Sequence, residues 1–473
     1  MSVPGSAPAA TFFPGVLPIT YGRLADAVAD PLGMLRRQYE MHGPISAFED
    51  NGHRVIFVFG PEYNQRVLSD PDTFHSYFFP LRGPKGSAQR RLTSGLLSQN
   101  GPHHREQRRM LMGPFQKRVF SAYVARIVEL TEAMLDGWRA GEVRSLHNDM
   151  NTLMLRITSS LLFGLTDTDL VFELGEMIEY WGELNHRLGV SAIVPLEEFR
   201  DGYEELLAFA EQLEAKIRQM IALRHRDPSG NDVLSILLRN QAQGDGLTDE
   251  ELIGQTALLF SAAHLTTAHS LTWTFFLLAQ HPVEGDQLSR ELSERLPTAA
   301  LTLADVESLP CLDRTLKESL RILPGSAYVQ RVAVRPVELG PFSLNRGTVV
   351  VFSQFMTHHM RELYVDPERF WPDRWLTLRP SPYAYLPFGA GPRHCLGGPL
   401  ATVIMKLVIP LVWRRFRMAV QAQARIDANA VSTMLAPMTP VPMELLSPDQ
   451  QLERRPVRGN IHQYVKLTEP EEG

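Results

Sequence analysis

Apolar residues are spaced along most of the chain as they are in amphipathic helices. Between about residues 61 and 281, apolar side chains recur every three or four positions, as in Tyr123, Ile127, Leu130 and Met134. This interval matches the 3.6-residue turn of an α-helix and puts the apolar side chains on one face. The pattern therefore predicts that helices form the body of the protein.

Strand-like patterns lie on both sides of this helical region. Residues 45–50 and 53–59 flank Asn51-Gly52, a dipeptide that suits the left-handed positions of a tight hairpin turn. Similar runs return between Tyr328 and Phe352. A sheet that joins strands so far apart predicts one domain over residues 1–473, mainly α with small β-sheets. Residues 1–13 and 466–473 are expected to be flexible ends.

The most apolar stretch, residues 252–278, predicts a long buried helix. Thr248 and Glu251 form a capping-box pattern at its start, and Pro282 marks its end. About 33 residues at 1.5 Å each would span about 50 Å. The stretch contains histidine, glutamine, serine and threonine, which are costly in lipid, so a membrane span is not expected.

Composition and charge exclude several classes of function. The 473 residues are 44% hydrophobic and 21% charged, as in a globular protein with a large core, and the net charge is -6. Nothing in this balance favours nucleic acid or an anionic membrane as a partner. Only Cys311 and Cys395 are available for disulfides, which fits a reducing cytoplasm. Four prolines interrupt the first twenty residues, so neither a signal peptide nor a membrane anchor is expected.

One of the two cysteines lies in a loop rich in glycine and proline. The loop reads Phe388-Gly-Ala-Gly-Pro-Arg393-His-Cys395-Leu-Gly397, and a predicted helix follows it. Backbone N–H groups at the start of that helix would stabilise a thiolate. Taken alone, Cys395 would more simply be a small residue in a turn. The whole pattern, F-x-x-G-x-R-x-C-x-G, resembles the haem-binding loop of cytochromes P450.

This resemblance implies haem b as the cofactor, Cys395 as the iron ligand, and contacts to haem from Phe388, Arg393 and Gly397. It also implies a triangular, prism-like fold with a long central helix, and it covers about residues 14–445. A thiolate ligand pushes electron density onto iron and favours O–O cleavage. Both 434–445 and 456–465 are candidates for the closing strand of this fold.

Two further motifs carry the resemblance. Glu318 and Arg321 match the family's E-x-x-R pair, which together with Arg374 of Pro372-Asp-Arg-Trp375 would form a buried structural triad. The alternative for an isolated E-x-x-R is an ordinary surface ion pair. Gly101-Pro-His-His104-Arg-Glu-Gln-Arg108 resembles the family's G-x-x-H-x-x-x-R. By resemblance, His104, Arg108 and Arg331 would meet the haem propionates, although a solvated helix face would show a similar charge pattern.

The central helix departs from the family's oxygen-activation motif, A-G-x-D/E-T-T. Here the segment reads Ala262-Ala263-His264-Leu265-Thr266, followed by a second threonine. Thr266 aligns with the threonine that hydrogen-bonds bound dioxygen or its water, or it bonds its own helix carbonyl. Leu265 replaces the usual acid, which puts the usual proton relay in doubt. His264 is a candidate replacement for that acid.

The resemblance implies a monooxygenase of secondary metabolism that inserts one oxygen atom from O2 into an apolar small molecule. Electrons would come from a separate ferredoxin or flavodoxin and its reductase, and the basic residues of 105–118 are candidates for that contact. A peroxide-using or oxidative-coupling enzyme would tolerate Leu265, and a haem or gas sensor is a third alternative. By the same resemblance, the expected pocket residues are Leu258, Ser261, Ala262, Leu265, Ala327, Val329 and Met434.

Overall fold

The computed structural model describes residues 17–24, 30–165, 168–189, 200–244, 246–296 and 301–467. Within these residues helices dominate, as the periodicity predicts. Most of the predicted flexible ends, residues 1–13 and 468–473, lie outside the described residues. The described α-helices are α1 Pro31–His42, α2 Pro61–Leu68, α3 Ala88–Leu92, α4 Gly101–Leu111, α5 Ser121–Asp136, α6 Leu146–Phe163, α7 Thr168–Gly189, α8 Arg200–Arg226, α9 Val233–Ala242, α10 Asp249–Ala263, α11 Leu265–Gln280, α12 Pro282–Arg295, α13 Leu303–Glu307, α14 Pro310–Ile322, α15 Gln354–His358 and α16 Gly398–Arg415.

The largest sheet joins strands from distant parts of the chain. The described strands are β1 Ile19–Tyr21, β2 Ile45–Asp50, β3 His53–Val58, β4 Phe74–Ser76, β5 Val143–Ser145, β6 Val329–Ala333, β7 Val337–Leu339, β8 Phe342–Leu344, β9 Val349–Phe352, β10 Arg417–Val420, β11 Ala428–Val431, β12 Met434–Pro437 and β13 Pro442–Leu446. The strand order of the largest sheet is β1-β2-β3-β9-β6-β4, and the smaller sheets have the orders β10-β13-β5, β11-β12 and β7-β8.

The predicted hairpin and the predicted long-range sheet are both present. β2 and β3 pair antiparallel around Asn51 and Gly52, whose φ angles are 48° and 80°. β3 then pairs parallel with β9, nearly 300 residues later in the chain, and β9 pairs with β6. This pairing ties the N-terminal hairpin to the segment that follows α14.

The predicted central helix is wrong in one respect, because it is interrupted at His264. α10 begins with the predicted capping box of Thr248 and Glu251, and α11 ends at Gln280. At the interruption, the hydroxyls of Thr266 and Thr267 donate to the carbonyls of Ala262 and Ala263 at 3.0 and 3.4 Å. Threonine hydroxyls that bond the fourth preceding carbonyl compete with the helix backbone and bend helices.

The C-terminal part of the chain shows which of the two candidate segments forms the closing strand. Residues 434–445 supply β12 and most of β13, and β13 pairs with both β10 and β5. Residues 456–465 contribute only one isolated bridge, from Arg458 to Arg425, and a short 3-10 helix. At the predicted flexible end, Lys466 N donates to Glu368 O at 2.7 Å and Leu467 is buried. Lys466 is therefore tied by its backbone although its side chain is exposed, and Leu467 is packed.

Candidate functional site

The cysteine loop folds tightly between α2 and the start of α16. Cys395 N donates to Phe388 O at 2.8 Å, which closes the loop. Gly391 has φ of 69°, and a Cβ atom there would lie 2.4 Å from Leu68 O. A side chain at Gly391 would therefore force α2 away, so the glycine allows this close approach. Cys395 Sγ borders a large cavity.

The surroundings of Cys395 suit a thiolate only when a cation is near. Burial raises the pKa of the Cys395 thiol, while N–H donors of Gly397 and Gly398 and the charge of Arg108 lower it in part. The effect of burial is larger than that of these donors, so the pKa of the thiol lies above its usual value. A bound metal cation would reverse that balance, since a coordinating thiol is deprotonated.

Basic side chains surround the cavity beside this loop. Arg108 donates to His394 O at 2.7 Å, and Arg393 donates to Leu96 O at 3.3 Å and to Asn100 Oδ1 at 2.6 Å. The Arg331 guanidinium donates to Gln330 O at 3.0 Å. Within the described part of the chain, none of these three arginines has a carboxylate partner within ion-pair distance.

The pKa values of these groups reflect burial and mutual repulsion. Burial, and then the charge of Arg393, lowers the pKa of Arg331 to about 9. Burial, and then Arg108, lowers the pKa of Arg393 to about 10. Burial, Arg393 and Arg108 lower the pKa of His104 to about 4, so the imidazole is neutral. Two cationic guanidiniums in a partly buried pocket are costly unless an anion joins them.

These residues fit a haem. A thiolate ligand, a neutral histidine and three arginines without carboxylates match one iron and two propionates. All seven residues expected to contact haem border the same cavity: His104, Arg108, Arg331, Phe388, Arg393, Cys395 and Gly397. The cavity volume is about 750 Å³.

The Glu318 carboxylate is fully buried among five donors. It accepts two bonds from Arg321 at 2.9 Å each, one from Arg374 Nε at 2.9 Å, and one each from Trp371 N and Trp375 Nε1 at 2.9 and 3.0 Å. Burial raises the pKa of Glu318, but the two arginines outweigh it and hold the pKa below its usual value. The three charged side chains thus form one buried cluster rather than a surface pair.

A chain of hydrogen bonds links this cluster to the cysteine loop. Arg321 Nη1 donates to His358 O at 2.8 Å, and Leu386 N donates to His358 Nε2 at 2.7 Å. His358 Nδ1 therefore carries the proton and donates to Arg321 O at 3.0 Å. Leu386 stands two residues before Phe388, where the cysteine loop begins.

The broken helix presents Thr266 and Leu265, but not His264, to the cavity. The first two border the cavity, and the Thr266 hydroxyl donates to Ala262 O at 3.0 Å. His264 is not among the residues bordering it. Its Nδ1 bonds Phe260 O at 2.9 Å and its Nε2 lies 3.4 Å from Glu179 Oε1. The structure therefore does not bring His264 to Thr266 as a replacement acid.

Six of the seven expected pocket residues border the cavity: Leu258, Ser261, Ala262, Leu265, Val329 and Met434. Ala327 is the exception and this expectation is corrected. Its side chain is fully buried, and its backbone instead joins two segments, because Ala327 N donates to Thr433 O and Ala327 O accepts from Phe355 N. Ala327 thus contacts the cavity wall through its backbone bond to Thr433, which borders the cavity.

Sequence reasoning missed a second wall that α6, α7 and α11 contribute. It includes His147 and Asn151 on α6, Glu179 and Trp181 on α7, and His269 on α11. Nothing in the local sequence marks these residues, because ordinary helix periodicity explains each one equally well. Their common location follows from how three helices cross.

Comparison with known proteins agrees with this geometry. The family model "Cytochrome P450" matches residues 21–445. Cyclooctat-9-en-7-ol 5-monooxygenase of Streptomyces melanosporofaciens is 29% identical over 80% of this chain and 83% of its own length. Cyclooctatin synthase of the same organism is 30% identical over 86% of this chain and 90% of its own.

A solved structure supports the fold. The retinoic acid-bound cyanobacterial CYP120A1 superposes with a TM-score of 0.76 at 24% identity, covering 87% of this chain and 93% of that one. Among the described residues, no helix is long and apolar enough to cross a membrane. With a family match over most of the chain and a cavity that fits haem beside Cys395, the protein belongs to the cytochrome P450 family and is a haem-dependent monooxygenase.

Proposed function

We propose that this monooxygenase inserts one oxygen atom from O2 into an apolar, isoprenoid-sized small molecule, using haem b. One observation carries the proposal: a single, largely apolar cavity is bordered by Cys395, by Thr266 and by the expected propionate contacts Arg108, Arg331 and Arg393. The cavity volume of about 750 Å³ supports the proposal, because it lies in the upper part of the range usual for cofactor and small-molecule sites.

Each part of the site has a defined task. When bound, a haem thiolate supplies activation of O2 and oxidation of unactivated C–H bonds. Cys395 provides the sulfur ligand, and the N–H groups of Gly397 and Gly398 stabilise its charge. Arg108, Arg331 and Arg393 neutralise the two carboxylates of the cofactor and fix its orientation.

Thr266 places one hydroxyl on the cavity wall at the helix break. Its own proton is directed to Ala262 O, so its oxygen is free to accept a hydrogen bond. A water molecule bound there would be positioned to pass protons from the cavity. Leu265 offers no such group, so the proton supply depends on water and on polar groups of the substrate or of the cavity wall.

The character of the substrate is inferred from the cavity lining and from the relatives. Apolar side chains such as Phe79, Leu97, Trp181, Leu258 and Val329 border the cavity. The two relatives from Streptomyces act, by their names, on cyclooctat-9-en-7-ol and in the formation of cyclooctatin. An oily molecule of similar bulk is therefore the proposed substrate class.

Electrons are proposed to come from a ferredoxin or flavodoxin and its reductase in the cytoplasm. The free thiols Cys311 and Cys395 fit a reducing compartment. Of the basic residues in 105–118, Arg105 lies 3.7 Å from Asp72 and Lys117 pairs with Glu307 at 2.8 Å. Arg109 and Arg118 are exposed, and they are the residues of this segment best placed to meet an acidic partner.

The test is reconstitution of the haem-loaded protein with a surrogate ferredoxin, its reductase, NADPH and 18O2, supplied with a library of terpenes and terpene alcohols. We expect products heavier by one 18O atom. A parallel reaction with hydrogen peroxide and no reductase tests the alternative that Leu265 suggests. If product formed only with peroxide, the proposal that O2 is the oxidant would be wrong and the peroxide alternative would take its place. If no product formed in either reaction, both would be overturned.

A further inference from the structure

The cavity has a polar corner where α6 meets α11, apart from the arginines beside the cysteine loop. His147 and Asn151 lie on α6, and His269 lies on α11. The two imidazole rings are 5.3 Å apart between centroids, and Asn151 Nδ2 lies 3.3 Å from His147 Nε2. All three side chains border the cavity. We call these three residues the polar corner.

Each residue of the polar corner has a polar atom without a partner. His147 Nδ1, Asn151 Oδ1 and His269 Nδ1 are buried and make no hydrogen bond within the described chain. An unpaired buried donor or acceptor costs about 1 to 3 kcal/mol. His269 is 4% exposed, so bulk water does not satisfy it. Each of the three atoms has less than 1 Å² of accessible surface, so a small rotation of its side chain, which borders the cavity, would bring it to a group in the corner.

The polar corner is neutral, which excludes an anion as its natural occupant. Burial, and then His147 and His264, lowers the pKa of His269 to about 3. Burial also lowers the pKa of His147, although the nearby Glu179 opposes this. Both rings are uncharged at neutral pH, and Glu179 is the acidic residue beside them. A carboxylate would therefore be repelled, whereas a neutral polar group would not.

The hydrogen bond between His147 and Asn151 defines what the corner still needs. With Asn151 Nδ2 donating to His147 Nε2, the ring proton lies on Nδ1, so His147 offers a donor and Asn151 Oδ1 an acceptor. Exchanging the amide atoms and the tautomer inverts both roles and again leaves one donor and one acceptor. A hydroxyl group accepts one bond and donates one, so it matches either arrangement.

We propose that the polar corner binds a hydroxyl group of an otherwise apolar substrate. The proposal deepens the proposed function and rests on it. His269 follows Thr266 by three residues, a rise of about 4.5 Å along the helix. A hydroxyl held there fixes the substrate skeleton relative to Thr266 and so selects which carbon is oxidised. An ordered water has the same hydrogen-bonding chemistry, and the test separates the two.

The test compares alcohols with their parent hydrocarbons. The probes are three matched pairs: adamantan-1-ol with adamantane, decahydro-2-naphthol with decalin, and cedrol with cedrane. Dissociation constants are measured with haem-loaded protein from the absorbance shift on binding. The variants are Asn151→Leu and His269→Phe. The control is Thr158→Val, because Thr158 borders the cavity but its hydroxyl already bonds Met154 O at 2.7 Å.

Loss of one or two hydrogen bonds corresponds to a change on the order of tenfold in affinity. We expect each corner variant to weaken binding of at least one alcohol by about tenfold while its hydrocarbon stays within about twofold. Thr158→Val should leave the dissociation constants of the alcohol and of the hydrocarbon unchanged. Equal effects on alcohol and hydrocarbon, no effect on either, or no alcohol binding to the parent protein would each overturn the proposal and leave water as the occupant.

Failure of this inference is distinct from failure of the proposed function. Each preparation is first reduced and treated with carbon monoxide, and the red-shifted absorption of a thiolate-bound haem is recorded. Loss of that absorption in the parent protein would overturn the haem-thiolate site. Its presence, together with no discrimination between alcohol and hydrocarbon, would overturn the polar corner alone.

Discussion

Replacing Glu318 by glutamine should unfold the region that holds the cysteine loop. The carboxylate now accepts five hydrogen bonds and balances two buried guanidiniums, those of Arg321 and Arg374. Glutamine keeps the shape but offers one acceptor oxygen, and its NH2 group faces donors. Both guanidiniums would then be buried with no counter-charge.

The expected loss of stability is large. Removing one partner of a buried ion pair costs about 3 to 5 kcal/mol, compared with about 5 to 15 kcal/mol for the stability of a typical domain. Denaturant titrations followed by tryptophan fluorescence should report this loss of stability. The backbone N of Trp371 and the indole of Trp375 both donate to Glu318, so both residues lie at the altered site. Haem content, measured from absorbance, should fall in parallel, because His358 links the cluster to Leu386 ahead of the cysteine loop.

A matched control lies in α5, where Arg126 and Glu129 form a pair with the same three-residue spacing at 2.6 Å. The Glu129 side chain is 65% exposed, whereas that of Glu318 is 0% exposed. Surface pairs contribute about 0 to 1 kcal/mol, so Glu129→Gln should change little. If Glu318→Gln were as stable and as rich in haem as Glu129→Gln, burial would not explain the contribution of the Glu318 cluster to stability.

Three further changes test other parts of the structure. Cys395→His should retain haem but lose the red-shifted absorption of the reduced carbon monoxide complex; persistence of that band would point to another sulfur ligand. If a relay acid is the missing element, Leu265→Glu should raise the coupling, which is the fraction of electrons that appears in product. Equal coupling in Leu265→Glu, Thr266→Ala and the parent would show that this segment does not govern proton delivery. Burial, and then Arg321, lowers the pKa of His359 to about 3 from 6.5, so the unfolded chain binds the proton more readily and stability falls as the pH drops below about 6.5. His359 should contribute about 2 kcal/mol of this loss by pH 5. Because His104 and His269 also have lowered pKa values in both proteins, stability should still fall in His359→Gln, but by about 2 kcal/mol less than in the parent, as measured by urea midpoints at pH 7.5 and pH 5.

The candidate site residues could be predicted from the sequence because each lies in a short local pattern that resembles a family motif. Cys395 belongs to a glycine-rich loop before a helix, Glu318 and Arg321 are one helical turn apart, and His104 and Arg108 share a helix face. Local spacing fixes such relations before any tertiary contact forms. The hairpin at Asn51-Gly52 was equally accessible, since its left-handed φ angles favour those two residue types.

Other features depended on contacts between distant segments. The orientation of His264 follows from the interruption between α10 and α11, where Thr266 and Thr267 bond earlier carbonyls. Helical periodicity alone predicts a continuous helix there. The resemblance placed Ala327 on the cavity wall, but its backbone bonds Thr433 and Phe355, and the residue is fully buried and does not border the cavity.

The sequence by itself determined the family, because its motifs consist of particular residue types at short spacing. Through the same resemblance it predicted the sulfur ligand, the members of the buried charge cluster and the groups that would meet a haem. Only the tertiary structure decided which polar groups border the cavity. His147, Asn151 and His269 come together because α6 crosses α11, and one polar atom of each remains unpaired within the described chain. Such a juxtaposition depends on helix packing, and no local sequence pattern encodes it.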